Sequence, residues 1–236
     1  MTGTETAGSP ISPRTADGKF KILLIDDHPI VRQGLVQLIN QEVDMHVCAE
    51  ASNAREAMEM AASTAPDVAV VDISLEDRSG VELIKEFGQR FPNMLCLALS
   101  MYDESMYAVR VLRAGGRGYV MKQEATKKVI AAIRRVVGGQ VYVSDAMASR
   151  LVGQLVLGEN DRGSPVAALS DRELEVLTLI GRGMGTREVA ERLFISVKTV
   201  EAHKERLKEK LKLQGSTELV RFAVQFTLDQ ANQAAK

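Results

Sequence analysis

The sequence predicts two domains of different class. The first is an α/β domain on a five-stranded, doubly wound parallel sheet, and the second is a small all-α domain of four helices. Three observations predict this. From Phe20 to about Val137, five short apolar runs alternate with amphipathic segments of about a dozen residues. The runs are rich in Val, Ile and Leu without strict alternation, as strands covered on both faces are. Beyond about residue 168 the extended runs stop and only helical periodicity remains.

Taken in order, the runs are Phe20–Ile25, Met45–Ala51, Val68–Asp72, Met94–Leu99 and Gly118–Met121. Each is followed by a helical pattern, which makes five β-α units and hence a parallel sheet. One helix opens at "SNAREAMEMAAS", where Asn53 and Glu56 have capping-box spacing. "GGQVYVSDAMASRLVGQLVL" then gives a turn, a short extended piece and one helix capped by Ser144. "GENDRGSPVAA" (Gly158 to Ala168) is polar and aperiodic, and reads as a linker. Ser170 and Glu173 cap the next helix, which ends in "GRGMG". Thr186 opens a second helix running through Leu193, Ser196 caps a third running to about Leu213, and "STELVRFAVQFTLDQ" supplies a fourth. The expected organisation is a disordered tail at 1–18, the α/β domain at 19–140, a linker with one helix at 141–168 and the helical domain at 169–236.

Composition narrows the class. The chain has 236 residues, a formal net charge of −1, 45% hydrophobic and 26% charged residues, as soluble globular proteins do. A neutral chain is no generic polyanion binder, so any nucleic-acid surface must be local. No apolar run approaches the roughly 18 residues of a membrane span, and "MTGTETAGSPISPRTADG" lacks a signal-peptide core. The two cysteines, Cys48 and Cys96, each lie in an apolar run and read as buried, reduced thiols of a cytoplasmic protein.

Two of the apolar runs end on acids. "FKILLIDDHP" runs into Asp26 and Asp27, and "VAVVDISLEDRSG" into Asp72. A carboxylate at the end of a core segment is costly unless compensated. Ligands of open parallel sheets sit at the carboxyl ends of the strands. In the common order 2-1-3-4-5 the first and third strands are neighbours, so the three acids converge. Their repulsion is relieved by a hard divalent cation with oxygen ligands, most simply Mg²⁺. Ser100 ends the fourth strand and Lys122 the fifth, on the same edge. Metal, hydroxyl and ammonium together suit a phosphoryl group, and Asp72 becomes the nucleophile that accepts it.

These residues resemble the receiver domain of bacterial response regulators, from Phe20 to about Val137. "IDDHPIVRQGL", "PDVAVVDISL…SGVEL", "LALS" and "GGRGYVMK" stand in that family's order and spacing. The resemblance implies a flavodoxin-like, CheY-like sheet and phosphorylation of Asp72 by a partner histidine kinase. It implies Mg²⁺ held by Asp26, Asp27, Asp72 and the backbone carbonyl of Ser74. It also implies that Ser100 moves to the phosphoryl group and that Tyr119 follows it inward. Two positions depart from the family pattern. Gln123 stands where a proline usually follows the lysine, and "SLEDRSG" lacks the proline often found there. A cis bond before a non-proline residue costs about 3–4 kcal/mol, so this loop is expected to be trans.

In the second domain, the Thr186–Leu193 helix, a tight turn and the Val197–Leu213 helix read as a helix-turn-helix. Val197, Val200, Leu207 and Leu211 form an inward stripe, with Lys198, Glu201, Ala202 and Glu205 opposite. Ser196 to Leu213 carries six basic and three acidic residues, a net of 6 − 3 = +3, which suits a DNA backbone. "LSDRELEVLTLIGRGMGTREVAERLFISVKTVEAHKERLKEKLKL" is similar to the LuxR-type DNA-binding domain, and the whole chain to the NarL/FixJ family. The resemblance implies a transcription regulator of double-stranded promoter DNA, not an enzyme. Its DNA contacts are expected from Lys198, Thr199, Glu201, Ala202, His203, Lys204 and Lys208. Glu201 either accepts from cytosine N4 or pairs with Lys204 or Lys208. Homodimerisation on activation is expected through Leu219, Phe222, Ala223 and Phe226. No membrane and no small-molecule substrate beyond the phosphodonor is expected.

Three rival readings compete with this one. A Mg²⁺-dependent phosphohydrolase would place two aspartates as D-x-D on one strand, whereas here "DD" ends one strand and Asp72 another. A ligand-sensing regulator would need an aromatic pocket domain, but aromatics are 4% with no Trp. The third shares this architecture but is controlled by oligomerisation without phosphate.

Overall fold

The computed structural model describes residues 18–157 and 165–234. The expected tail lies outside the described residues but for Gly18, as does the linker core at 158–164. The chain divides into two compact units, Met1–Ser144 and Asp145–Lys236.

In the first unit, β1 (Phe20–Ile25), β2 (Met45–Ala51), β3 (Val68–Asp72), β4 (Leu95–Ser100) and β5 (Gly118–Met121) form one sheet in the order β2-β1-β3-β4-β5. All four pairings are parallel. β4 begins one residue later than the apolar run suggested. The Met94 N–H bonds back to Phe91 O and stays in the preceding turn. The intervening helices are α1 (Pro29–Asn40), α2 (Ala54–Thr64), α3 (Gly80–Arg90), α4 (Glu104–Arg113) and α5 (Ala125–Val137). Ile22, Leu24, Val68, Val70, Leu97 and Leu99 pack with Leu35 and Ile39 of α1 and Val129 and Ile133 of α5. Their strand neighbours Leu23, Ile25, Ala69, Val71 and Ala98, on the other side of the pleat, are equally buried. Covering both faces is what removed the alternation from the sequence.

The α2 cap differs from the expected box. The Asn53 side chain accepts from the Glu56 N–H at 2.9 Å, but Glu56 Oε2 accepts from the Ser52 N–H and Ser52 hydroxyl. Glu56 reaches one residue too far to close the reciprocal pair.

The second unit contains α6 (Asp145–Leu157), α7 (Asp171–Gly181), α8 (Thr186–Arg192), α9 (Val197–Leu211) and α10 (Ser216–Ala234). One 3₁₀ turn, Pro165–Ala168, occupies the end of the stretch expected to be aperiodic. α7 is buried almost all round and packs against α8, α9 and α10, so it is the centre of this unit. Its reciprocal cap, Ser170 with Glu173, is present. α9 stops two residues early because Lys212 turns left-handed at φ 56°, and α10 extends past Leu228.

Val197 does not join the inward stripe. It is 45% exposed, whereas Val200, Leu207 and Leu211 are buried. At the first position of α9 the helix has not yet rotated over the core. α7 and α10 cross where only glycine fits. A Cβ on Gly181 would stand 2.1 Å from Thr227 Oγ1 and 2.3 Å from the Ala223 carbonyl oxygen. Gly181→Ala is expected to destabilise the second unit by about 1–3 kcal/mol, the range for overpacking. Denaturant unfolding should show its transition moving to lower denaturant while that of the first unit stays in place.

Candidate functional site

The parallel register brings the strand ends together. Ile25 pairs with Val71, Asp72 with Leu99 and Ser100 with Met121. Asp26, Asp27, Asp72, Ser100 and Lys122 therefore share one edge of the sheet. Asp26, Asp72 and Ser100 are fully buried. The Lys122 ammonium sits between two of the acids, 2.7 Å from Asp26 Oδ2 and 2.6 Å from Asp72 Oδ2. Its side chain is only 4% exposed, so it does not snorkel. Asp72 Oδ1 accepts the Ser74 N–H at 3.0 Å. Burial pushes the Asp72 carboxyl up to about 6. Lys122 opposes this, the nearby Asp26 adds to it, and the bonds from Lys122 and Ser74 reduce it. The Lys122 ammonium has its pKa raised: its own burial works against this, and the two carboxylates outweigh it.

His28 was not among the site residues expected from sequence. Its Nδ1 lies 2.5 Å from Asp27 Oδ1, and its backbone N–H donates to Asp26 Oδ1 at 2.8 Å. The signal was its place directly after the acid pair. One ligand atom from each of Asp26, Asp27, His28 and Asp72 falls within 4.8 Å of the others. Asp27 Oδ2 is buried and accepts no hydrogen bond from the described residues. Three carboxylates and one ammonium leave −3 + 1 = −2 in a mostly oxygen-lined pocket. That donor set and charge fit a hard divalent cation.

The flanking loops are held without proline. Ser74 and Ser79 form an antiparallel bridge that closes the loop after β3. Asp77 in that loop accepts the Ala54 N–H at the start of α2. Gly80 is needed here, because a Cβ would lie 2.1 Å from the Asp72 carbonyl oxygen. There is no cis peptide among the described residues, so Lys122–Gln123 is trans. It passes through a 3₁₀ turn, Lys122–Glu124, directly into α5.

Ser100 and Tyr119 are both buried and already connected. Ser100 Oγ accepts the Tyr102 N–H at 2.9 Å, and the Tyr119 hydroxyl donates to the Tyr102 carbonyl at 2.8 Å. Tyr102 stacks on Tyr107 of α4, with ring centroids 5.1 Å apart. The chain leaving the first unit is bonded to the same region. Tyr119 N–H donates to Tyr142 O at 2.8 Å, and Ser144 N–H donates to Glu104 Oε1 at 2.8 Å.

In the second unit, Lys198, Thr199, Glu201 and Ala202 of α9 are exposed, while His203, Lys204 and Lys208 are half-buried. Thr199 is engaged in the helix cap, its N–H donating to Ser196 Oγ. Lys204 pairs with Glu201 at 2.9 Å and Lys208 with Glu205 at 2.8 Å.

Comparison with known proteins accords with both halves. Residues 22–134 match the response regulator receiver domain, and residues 167–223 match the bacterial regulatory proteins of the luxR family. The oxygen regulatory protein NreC of Staphylococcus carnosus is 39% identical over 210 residues, covering 87% of this chain and 97% of that one. The chain belongs to the two-component response regulators with a LuxR-type DNA-binding domain. The regulator is therefore no enzyme. Among solved structures, RcsB from Salmonella enterica serovar Typhimurium, bound to promoter P1flhDC in the presence of the phosphomimetic BeF3−, is 26% identical. That match has a TM-score of 0.57 and covers 87% of this chain and 98% of that one. A LuxR-family response regulator from Aurantimonas sp. SI85-9A1 is 32% identical with a TM-score of 0.54, covering 58% of this chain and 99% of that one.

The regulator departs from the expected dimer contact at Leu219 and Ala223. Both are fully buried within the chain, because α10 spends that face on packing against α7. Phe222 and Phe226 are half-buried. Among the described residues, the large apolar side chains that α10 leaves exposed are Val220, Val224 and Leu228, at four-residue spacing. Exposure of this kind is set by the partner helix, which no periodicity within α10 reveals. No helix among the described residues is long and apolar enough to cross a membrane.

His203 gives the second unit a pH dependence. Burial, with Arg206 and Arg172 nearby, holds its imidazole below the ordinary value of 6.5. The unfolded chain then takes up the proton more readily, so stability is lost as pH falls below about 6.5. The Glu173 carboxyl is pushed up by burial but held low overall by its bonds to Lys210 and Ser170 together, and that of Glu201 is held low chiefly by its Lys204 bond, so both lose their contributions only at lower pH. His203→Gln is expected to flatten the dependence between about pH 7 and pH 5.5. Hydrogen exchange of the α7 and α9 amides measures it.

Proposed function

We propose that a sensor histidine kinase phosphorylates Asp72 in a Mg²⁺-dependent step, and that the phosphorylated chain acts as a dimer on promoter DNA. The observation that carries this reading is the convergence of Asp26, Asp27, Asp72 and Lys122 on one strand edge beside Ser100. An Asp72 oxygen attacks phosphorus as the bond to the kinase histidine nitrogen breaks; that nitrogen keeps the bonding pair, and the ring, protonated at its other nitrogen, leaves as neutral imidazole. Asp26, Asp27, Asp72 and the Ser74 carbonyl are the residues that would hold Mg²⁺. The bound ion would supply neutralisation of the charge gathering on the phosphoryl oxygens. Lys122 supplies a second positive charge, already within 2.6 Å of the accepting carboxylate.

Ser100 links chemistry to shape. Rotation of its side chain toward a phosphoryl oxygen, where its hydroxyl donates, would carry Oγ away from the Tyr102 N–H that it now accepts. That loosens the turn leading into α4, whose Glu104 holds the Ser144 N–H. Ser144 is the last residue of the first unit. Phosphorylation is thereby read out where the chain passes to the DNA-binding unit. Solved RcsB structures include DNA complexes, one of them with two dimers. For this chain a two-fold dimer on a repeated site is the natural arrangement, since one recognition helix reads few base pairs. Val220, Val224 and Leu228, flanked by Phe222 and Phe226, offer its contact. Lys198, Lys204 and Lys208 carry charge toward the duplex.

Acetyl phosphate with Mg²⁺ is expected to add one base-labile phosphate by intact mass, and Asp72→Asn to add none. An equally labelled variant would exclude Asp72 as the acceptor. In the phosphorylated protein, hydrogen exchange at Tyr102–Glu104 and Tyr142–Ser144 should rise, and sedimentation should show more dimer. Val224→Glu is expected to reduce that dimer without reducing the phosphate. Full phosphorylation with unchanged exchange and sedimentation would sink the coupling.

A further inference from the structure

We propose that Glu201 selects a cytosine in the major groove, and that Thr186 of α8 holds it in the reading position. The inference deepens the proposed DNA-binding function and rests on it. Thr186, Glu201 and Lys204 close a three-membered ring of hydrogen bonds. The Thr186 hydroxyl donates to Glu201 Oε1 at 2.9 Å, and Lys204 Nζ donates to the same oxygen at 2.9 Å. Lys204 Nζ also donates to Thr186 Oγ1 at 3.1 Å. Thr186 opens α8 while the other two belong to α9, so the ring ties the recognition helix to its neighbour. Both bonds fall on Oε1. Oε2 accepts none from the described residues, and the side chain is 48% exposed. One acceptor is thus fixed and the other is presented to solvent.

The chemistry of the base edges then decides what Oε2 can read. The bond from Lys204 keeps the Glu201 carboxyl below the ordinary range, so it remains ionised and has no donor. Guanine N7 and O6 and thymine O4 are acceptors and repel it. Adenine offers its N6 amine, but the N7 acceptor lies beside it. Cytosine N4 is a donor with no acceptor beside it on its own base, where C5–H is its neighbour in the groove. The Glu201–Lys204 pair alone is an i,i+3 surface pair, which orders a side chain only weakly. The bond across helices from Thr186 supplies the constraint relative to the rest of the domain.

The test uses the full chain, treated with acetyl phosphate and Mg²⁺, and a pool of duplexes with a randomised core. Wild type is expected to enrich cytosine at one position of each half-site. On the enriched duplex, replacing that C·G pair by T·A should weaken binding about 10-fold, within the range for one base-edge contact. Glu201→Ala should bind both duplexes equally, and Glu201→Gln should move the preference toward adenine, whose N6 and N7 suit an amide. Thr186→Val should cut the discrimination to less than about 3-fold while leaving affinity for a scrambled duplex unchanged, and Thr186→Ser should restore it. An unchanged preference in Glu201→Ala overturns the reading role. Unchanged discrimination in Thr186→Val overturns the positioning role. A wild-type protein that enriches no duplex overturns the DNA-binding reading and this inference together.

Discussion

The Lys122 ammonium, lodged between Asp26 and Asp72 at the floor of the strand edge, is the interaction on which the receiver unit depends. Two buried carboxylates side by side are strongly unfavourable, and leaving either without a partner in that position would cost several kcal/mol. The ammonium offsets much of this penalty but not all of it. Asp72 remains raised to about 6, and the pocket stays two charges negative when all three acids are ionised. The residual imbalance is what makes the site receptive to a cation and to chemistry. A fully neutralised cluster would be only a structural ion-pair network.

Everything else in the first unit serves to hold that edge. The parallel register aligns the ends of β1 and β3, and Gly80 lets α3 begin against the Asp72 backbone. Asp77 and the Ser74–Ser79 bridge fix the loop that supplies the Ser74 N–H. The second unit solves a different problem, that of presenting a helix. α7 is buried almost all round so that α8, α9 and α10 can pack on it. The exposed side of α9 is then free to carry charged residues, which pair along the helix and across to α8.

Much of this was legible in the sequence. The strand runs, the acids at their ends and the caps at Ser170 and Ser196 follow from local pattern and short-range chemistry, and the strand order is the common one of such sheets. The departures share one origin. Val197 was placed inward because the stripe has helical spacing, but the first turn of α9 lies past the edge of the core. Leu219 and Ala223 read as a spare apolar face, but α7 occupies that face. Glu56 has the spacing of a box, yet its carboxylate bonds to Ser52.

The sequence by itself determined the class of each unit, the residues at the strand ends and the charge of the recognition helix. These depend on the period of apolar residues and on the identity of single residues, both of which are local. The tertiary structure alone decided which acid faces Lys122, that His28 joins the cluster and that Tyr102 joins Ser100 to Tyr119. It also decided that Thr186 meets Glu201 across 15 positions of chain. Such contacts join side chains on different elements. Their distances are set by how helices and strands pack, and no spacing within one element encodes that.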